Sequence, residues 1–278
     1  MSPMNNRLLV PRKTPGLLDL VPGAAAAYSL RSLSNSYADP VVTVRRSSDN
    51  AEDSFTASEV ADGTLAAFCG AGDGFVKQWW DQSGNARHAS QTTAARQPKI
   101  VSSGVVVTEE GKPAIEFDGT NDSLVTSSFA YKKQTAFFTV AKATAVTTTT
   151  NLFRHQGNVT SEIFHRFDTA LGVPTLRSFR KGSSGTYSVA TPAIVGSQYL
   201  FCSLFSELSV QQYANGAATG AAAATPFDQN STATYSVGGY STSEPFNGTI
   251  SETIAYESVD LTEQRELVEG LIAWGYSV

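Results

Sequence analysis

Two short apolar runs that stop at acidic turns constrain this chain more than any other feature. Phe75-Val76 and Trp79-Trp80 end at Asp81-Gln82-Ser83-Gly84-Asn85, and Ala114-Ile115-Glu116-Phe117 ends at Asp118-Gly119. Asp, Asn and Ser side chains bond neighbouring backbone, and Gly takes positive φ without steric cost, so each run is predicted to be a strand closed by a tight turn. Two such strands predict one edge of an all-β sandwich. Successive strand side chains point to opposite faces, so Trp79 and Trp80 face opposite ways and at most one is exposed.

The remaining chain extends this pattern. Val41 to Arg46 is a β run ended by Ser47-Ser48-Asp49-Asn50, and Asp53 to Gly74 reads as a short helix leading into the Phe75 strand. Ala24 to Leu30 has helical propensity, although Tyr28 and Leu30 equally suit a strand. Beyond Asp122 come strand candidates at 123–125, 136–142, 151–153, 163–167, 176–179, 199–206 and 208–213, separated by Gly, Asn and Pro. Asn215-Gly216 predicts a hairpin, and Gly220 to Ala224 reads as a surface loop. Tyr235 to Tyr240 and Phe246 to Tyr256 are predicted strands. A helix follows from about Thr262, with Leu267, Val268, Leu271, Ile272 and Trp274 on its apolar face and Gly275 at its end. The chain divides into an extended arm over residues 1–16 and one β domain over residues 17–278.

Composition excludes several classes. With 41% hydrophobic and 16% charged residues in 278, the chain can bury a sizeable core, and a net charge of −5 argues against a nucleic-acid surface. No run approaches the length that spans a membrane, and Leu8-Leu9-Val10 is too short for the core of a secretion signal. Cys69 and Cys202 make no disulfide framework and read as buried small hydrophobes. His88, His155 and His165 lack metal-ligand spacing. Asp81, Asp118 and Asp122 could hold Ca²⁺, but their sequence context is ordinary turn chemistry, so neither a metal nor a cofactor is assigned.

No serine elbow and no phosphate loop is present, since Gly70-Ala71-Gly72-Asp73-Gly74 places an acid where phosphate would sit. Paired carboxylates remain as a catalytic option, with Glu116, Glu162 and Glu252 lying on predicted strands. Carbohydrate binding needs less: aromatic faces and a few polar groups, which Trp79, Trp80, Tyr235, Tyr240 and Tyr256 could supply.

Phe117-Asp118-Gly119-Thr120-Asn121-Asp122 and the ending Phe246-Asn247-Gly248-Thr249-Ile250-Ser251-Glu252 resemble concanavalin A-like (laminin-G-like) jelly rolls. Ala27-Tyr28-Ser29-Leu30-Arg31, Val44 to Asp49, Phe68-Cys69 and Trp80-Asp81-Gln82-Ser83-Gly84-Asn85 with His88 and Gln91 resemble the catalytic jelly roll of arabinofuranosidase-B-like glycosidases. The resemblance implies a concanavalin A-like jelly-roll sandwich with a short C-terminal helix. It also implies a Glu nucleophile mid-chain, near Glu162, and an Asp acid/base after a Gly-Gly pair. Here Gly238-Gly239 is followed by Tyr240, so no catalytic residue is assigned, and Glu162, His165, Tyr235 and Tyr240 stand as carbohydrate-binding candidates.

The arm carries Arg7, Arg12 and Lys13 among Pro3, Pro11 and Pro15. An arm of this kind on an unsecreted jelly roll resembles structural proteins of tailed bacteriophages. That resemblance implies a capsid or tail decoration protein of the virion, assembled in the host cytoplasm as a homo-oligomer. Arg7, Arg12 and Lys13 would anchor it to other virion proteins, and the jelly roll would face outward towards surface glycans. The alternative is an arabinofuranosidase-like glycoside hydrolase.

Overall fold

The computed structural model describes residues 14–131, 134–146, 149–156, 162–169, 171–182, 185–206, 208–223, 231–239 and 244–276. The strands that matter here are β1 (Ala24–Ser29), β2 (Val42–Arg46), β3 (Gly74–Trp79), β4 (Ile115–Asp118), β5 (Thr135–Ala143), β6 (Thr150–Gln156), β7 (Glu162–Asp168), β8 (Thr175–Gly182), β9 (Gly185–Pro192), β10 (Gln198–Phe205), β11 (Ser209–Ala214), β12 (Ala217–Ala223), β13 (Ser231–Val237) and β14 (Asn247–Glu257). The helices are a single turn, α1 (Leu17–Leu20), two short pieces at Ala57–Ala61 and Thr64–Cys69, and α2 (Arg265–Tyr276).

All the strand pairings are antiparallel, and they make a sandwich. In one layer β14 lies between β5 on one side and β1 with β4 on the other, and β5 continues through β10 and β11 to β12. In the other, β13 pairs with β6, which leads through β7 and β8 to β9, while β2 and β3 pair further along. A large apolar cluster fills the space between the layers, including Trp79, Phe117, Phe137, Phe153, Phe167, Phe201 and Tyr235. Fully burying one such side chain contributes roughly 1.5–3 kcal/mol.

β5 is buried on both faces, which explains its unbroken apolar sequence. Phe137 and Ala141 enter the inter-sheet cluster, whereas Ala136, Phe138 and Val140 join a second cluster under the helices with Leu17, Val268, Ile272 and Tyr276. The all-β jelly-roll expectation with a C-terminal helix therefore holds.

The local expectations meet mixed outcomes. Trp79 is fully buried while Trp80 is partly exposed, as alternation requires. Asn215 and Gly216, at φ 49° and 79°, form the hairpin turn between β11 and β12. Cys69 and Cys202 are buried thiols.

Ala24 to Ser29 is a strand despite its alanines, because pairing with β14 and burial of all six residues outweigh a weak local helix preference. The expected loop at Gly220 to Ala224 is likewise corrected: residues 217–223 form β12, which the Asn-Gly turn delivers onto β11. On α2, Val268 and Ile272 are buried, but Leu267 is 47% and Trp274 78% exposed, so the buried stripe runs through Tyr276 and not through Trp274. Arg7, Arg12 and Lys13 lie outside the described residues.

Candidate active site

Alternation along β7 places Ile163, His165 and Phe167 in the core and Glu162, Phe164, Arg166 and Asp168 on the opposite face. Arg154 of β6 stands opposite Phe164, and on the other side Phe164 is paired with Phe179 and Arg166 with Arg177 of β8. The Phe164 and Phe179 rings stack at 4.1 Å with planes 9° apart. Arginines surround them, with the Arg166 guanidinium 4.7 Å from the Phe164 centroid, Arg154 at 5.8 Å from the same ring and Arg177 at 5.8 Å from Phe179.

Carboxylates hold these arginines in place. Asp168 Oδ2 accepts from Arg166 Nε at 2.8 Å and from Arg177 Nη1 at 3.2 Å. Arg154 donates Nη2 to Glu162 Oε1 at 3.2 Å and Nη1 to Glu244 Oε2 at 2.5 Å. The Asn151 side chain also donates to Glu244, and the Asn151 amide bonds the Glu244 carbonyl at 3.3 Å. Burial pushes the Arg166 guanidinium down from its ordinary value, and Asp168 and Glu244 oppose that shift. Glu162 and Glu244 remain partly accessible, with side chains 18% and 26% exposed.

Two glycines bring Glu244 here. β13 ends at Val237, and Gly238 (φ 78°) and Gly239 (φ 152°) turn the chain out of the sheet. The Gly238 amide bonds the Leu152 carbonyl and its carbonyl accepts from Phe246, so the loop closes and returns Glu244 onto β6. A side chain at Gly238 would collide with the Phe117 ring, its Cβ only 1.8 Å from that ring. The Gly-Gly pair was a visible signal for a functional loop. The next residue, Tyr240, lies outside the described residues, and Glu244 beyond it carries no local sequence signal of its own. Arg154 carries no local signal either: the register of β6 against β7 places it beside Glu162, and Glu244 reaches it from the segment before β14.

The remaining candidates separate from this site. Glu162 is brought into it, but His165 and Tyr235 are fully buried and out of reach of a ligand, which corrects their expected role in sugar binding. His165 stacks on Phe201 at 4.2 Å, and burial lowers its pKa to about 3. Tyr235 stacks on Phe129 at 4.0 Å and bonds Glu257. Of the other acids considered, Glu252 is 1% exposed and bonded to Arg31, while Glu116 is exposed on β4. Asp81 accepts from the amides of Ala27, Ser83 and Arg87, and Asp118 from that of Thr120, as turn-closing residues do.

The family described as alpha-L-arabinofuranosidase B, catalytic, matches residues 19–153. No curated relative matches the chain. Among solved structures, the chain is similar to a mutant GH54 α-L-arabinofuranosidase soaked with 4-nitrophenyl α-L-arabinofuranoside, with a TM-score of 0.67, 13% identity, and coverage of 91% of this chain and 63% of that one. An arabinofuranosidase complexed with arabinofuranosyl-α-1,2-xylobiose gives a TM-score of 0.67 at 14% identity, again with 91% and 63% covered. This chain thus spans 63% of the length of those two proteins.

The likeness establishes the arabinofuranosidase-type fold and overturns the expected virion decoration protein, for which neither the family match nor these structures give support. Arg154, Glu162 and Glu244 lie beyond the matched residues 19–153.

Proposed function

We propose that this chain is an arabinofuranosidase-like glycoside hydrolase module whose reacting groups are Glu162 and Glu244. One observation carries the proposal: on a fold of arabinofuranosidase type, these two carboxylates converge on opposite terminal nitrogens of one guanidinium, Arg154. Two carboxylates bridged by one guanidinium lie close enough to act as a pair, and a retaining glycosidase uses such a pair about 5–5.5 Å apart.

Glu162, fixed on β7, serves as the nucleophile that attacks the anomeric carbon of an arabinofuranoside. Glu244, on the loop, first takes up a proton from solvent and gives it to the departing glycosidic oxygen. It then takes a proton from the water that attacks the glycosyl–Glu162 ester, which releases the sugar and leaves Glu162 ionised again. For that step the bond from Arg154 to Glu244 yields to the leaving oxygen. A second reading, binding of the same sugars without turnover, is favoured by Tyr240 standing where the resemblance places an acid.

Release of 4-nitrophenol from 4-nitrophenyl α-L-arabinofuranoside tests both. The hydrolase reading expects turnover above the buffer rate and its loss in Glu162→Gln and in Glu244→Gln. No turnover by the intact chain disposes of it. Calorimetric binding of the glycoside without turnover, lost in Arg154→Ala, establishes the second reading.

A further inference from the structure

The turn that identifies the fold also builds a cleft that the site above does not use. A cavity of about 530 Å³ opens beside Asp81 to Gly84, and its walls include Trp80, Tyr37, His88, Ser36 and Asp39. This volume lies within the range of small-molecule sites, which is roughly 300–1,000 Å³. Its frame is rigid. Asp81 is bonded to the amides of Ala27, Ser83 and Arg87, and Gln82 to the Leu33 amide and to the Ser29 and Arg31 carbonyls. The Trp80 indole is fixed by Nε1 donating to Thr43 Oγ1 at 2.9 Å, and His88 packs against it at 4.5 Å.

The groups left over have a common chemistry. His88 Nδ1 accepts the Asp81 amide, so Nε2 carries the ring proton and is the donor that remains. The Asp39 carboxylate is exposed and has no hydrogen-bond partner among the described residues, so it is open to hydroxyl donors. Asp19, Asp39 and Asp81 line the cleft and, among the described residues, no Lys or Arg does, so this wall disfavours anions. An aromatic plate, one neutral donor and one open carboxylate on a pre-ordered wall suit a ring with an apolar face and hydroxyls at its edge.

We propose that the Trp80–Asp39 cleft is a saccharide-binding site for neutral sugar units, separate from the Arg154 site. The sugar's flat face stacks on Trp80, adjacent hydroxyls donate to Asp39, and His88 Nε2 donates to a sugar oxygen. The cleft then holds a polysaccharide chain against the protein independently of whether the Arg154 site turns it over.

The test titrates the full chain with arabinotriose, xylotriose and glucuronic acid, following tryptophan fluorescence and heat. The expected result is saturable binding of at least one neutral trisaccharide below about 10 mM, weaker binding of glucuronic acid, and at least about tenfold weaker trisaccharide binding in Asp39→Ala and in Trp80→Ala. Asp39 is exposed, so Asp39→Ala keeps the test valid should Trp80→Ala misfold. Glu162→Gln leaves this binding unchanged. The proposal is overturned by no saturable binding of either trisaccharide, by an unchanged Kd in Asp39→Ala, by glucuronic acid binding as tightly as the neutral sugars, or by loss of binding in Glu162→Gln.

Discussion

Arg31 grips Glu252 with two nitrogens, Nε to Oε2 at 2.9 Å and Nη2 to Oε1 at 3.0 Å. The same carboxylate accepts from Ser29 Oγ at 2.7 Å and from the Tyr276 hydroxyl at 3.0 Å. The network joins the end of β1, the middle of β14 and the last turn of α2, so both ends of the domain are tied at one point. It also explains why Glu252, an acid on a predicted strand, is unavailable for chemistry.

Glu252→Ala would leave the Arg31 guanidinium, Ser29 and Tyr276 without their shared acceptor. Breaking a buried pair costs about 3–5 kcal/mol, and Arg31, with a side chain 27% exposed, places this variant near the lower end. Urea unfolding should show a loss of about 3 kcal/mol. A change under about 1 kcal/mol would mean the network is strongly hydrated.

Gly238 follows β13 and bonds the Leu152 carbonyl of β6 and the Phe246 amide, on the strand edge where Glu244 lies. Gly238→Ala combines a positive φ with a Cβ placed inside the Phe117 ring, so a loss of at least about 2 kcal/mol in thermal or denaturant unfolding is expected. If the variant folds, glycoside turnover should fall as it does in Glu244→Gln.

Asp122 is 6% exposed and its pKa is raised to about 6, first by burial and then by Asp118 and Glu116, against the Asp118 amide bond and Lys99. The unfolded chain ionises near the ordinary 3.8, so native stability falls as pH rises from about 4 to about 6 and is level above that. Asp122→Asn keeps an acceptor for the Asp118 amide and removes the penalty. At pH 8 it should be more stable than the parent chain by on the order of 2 kcal/mol, with the difference vanishing near pH 4. Chemical unfolding at the two pH values decides this.

Among the described residues His165 has no hydrogen-bond partner on either ring nitrogen, and its pKa is lowered to about 3 by burial. The unfolded histidine takes up a proton below about 6.5 while the native one does not, so stability drains away as pH falls from there towards 3. His165→Phe fits a site already walled by Phe137 and Phe201. Between pH 7 and pH 5 it should lose about 2 kcal/mol less than the parent chain, a difference calorimetric melting would reveal.

The strand-and-turn grammar was legible because it is local. Asp81 and Asp118 each accept from an amide two residues on, Ser83 and Thr120, and Asn215-Gly216 turns at positive φ, while period-2 alternation separates Trp79 from Trp80. The further bonds of Asp81 to Ala27 and of Gln82 to Leu33 are long-range and carry no local signal. The alanine-rich segments misled for the converse reason: Ala24 to Ala27 and Ala217 to Ala223 have no strong preference of their own and took their conformation from β14 and β11.

The candidate site was only partly legible. Glu162 could be marked as an acid on a strand, but His165 and Tyr235 looked equally suitable, and nothing local distinguishes a ring that faces a ligand from one that fills the core. By itself, then, the sequence determined an all-β sandwich, its acidic turns and its closing helix, because patterning and turn chemistry act over a few residues. The tertiary structure alone decided that Arg154 lies between Glu162 and Glu244, that Glu252 is consumed by Arg31, and that Trp80 opens onto a cleft. Each of these depends on strand register and loop return between residues far apart in the chain, which no short-range pattern encodes.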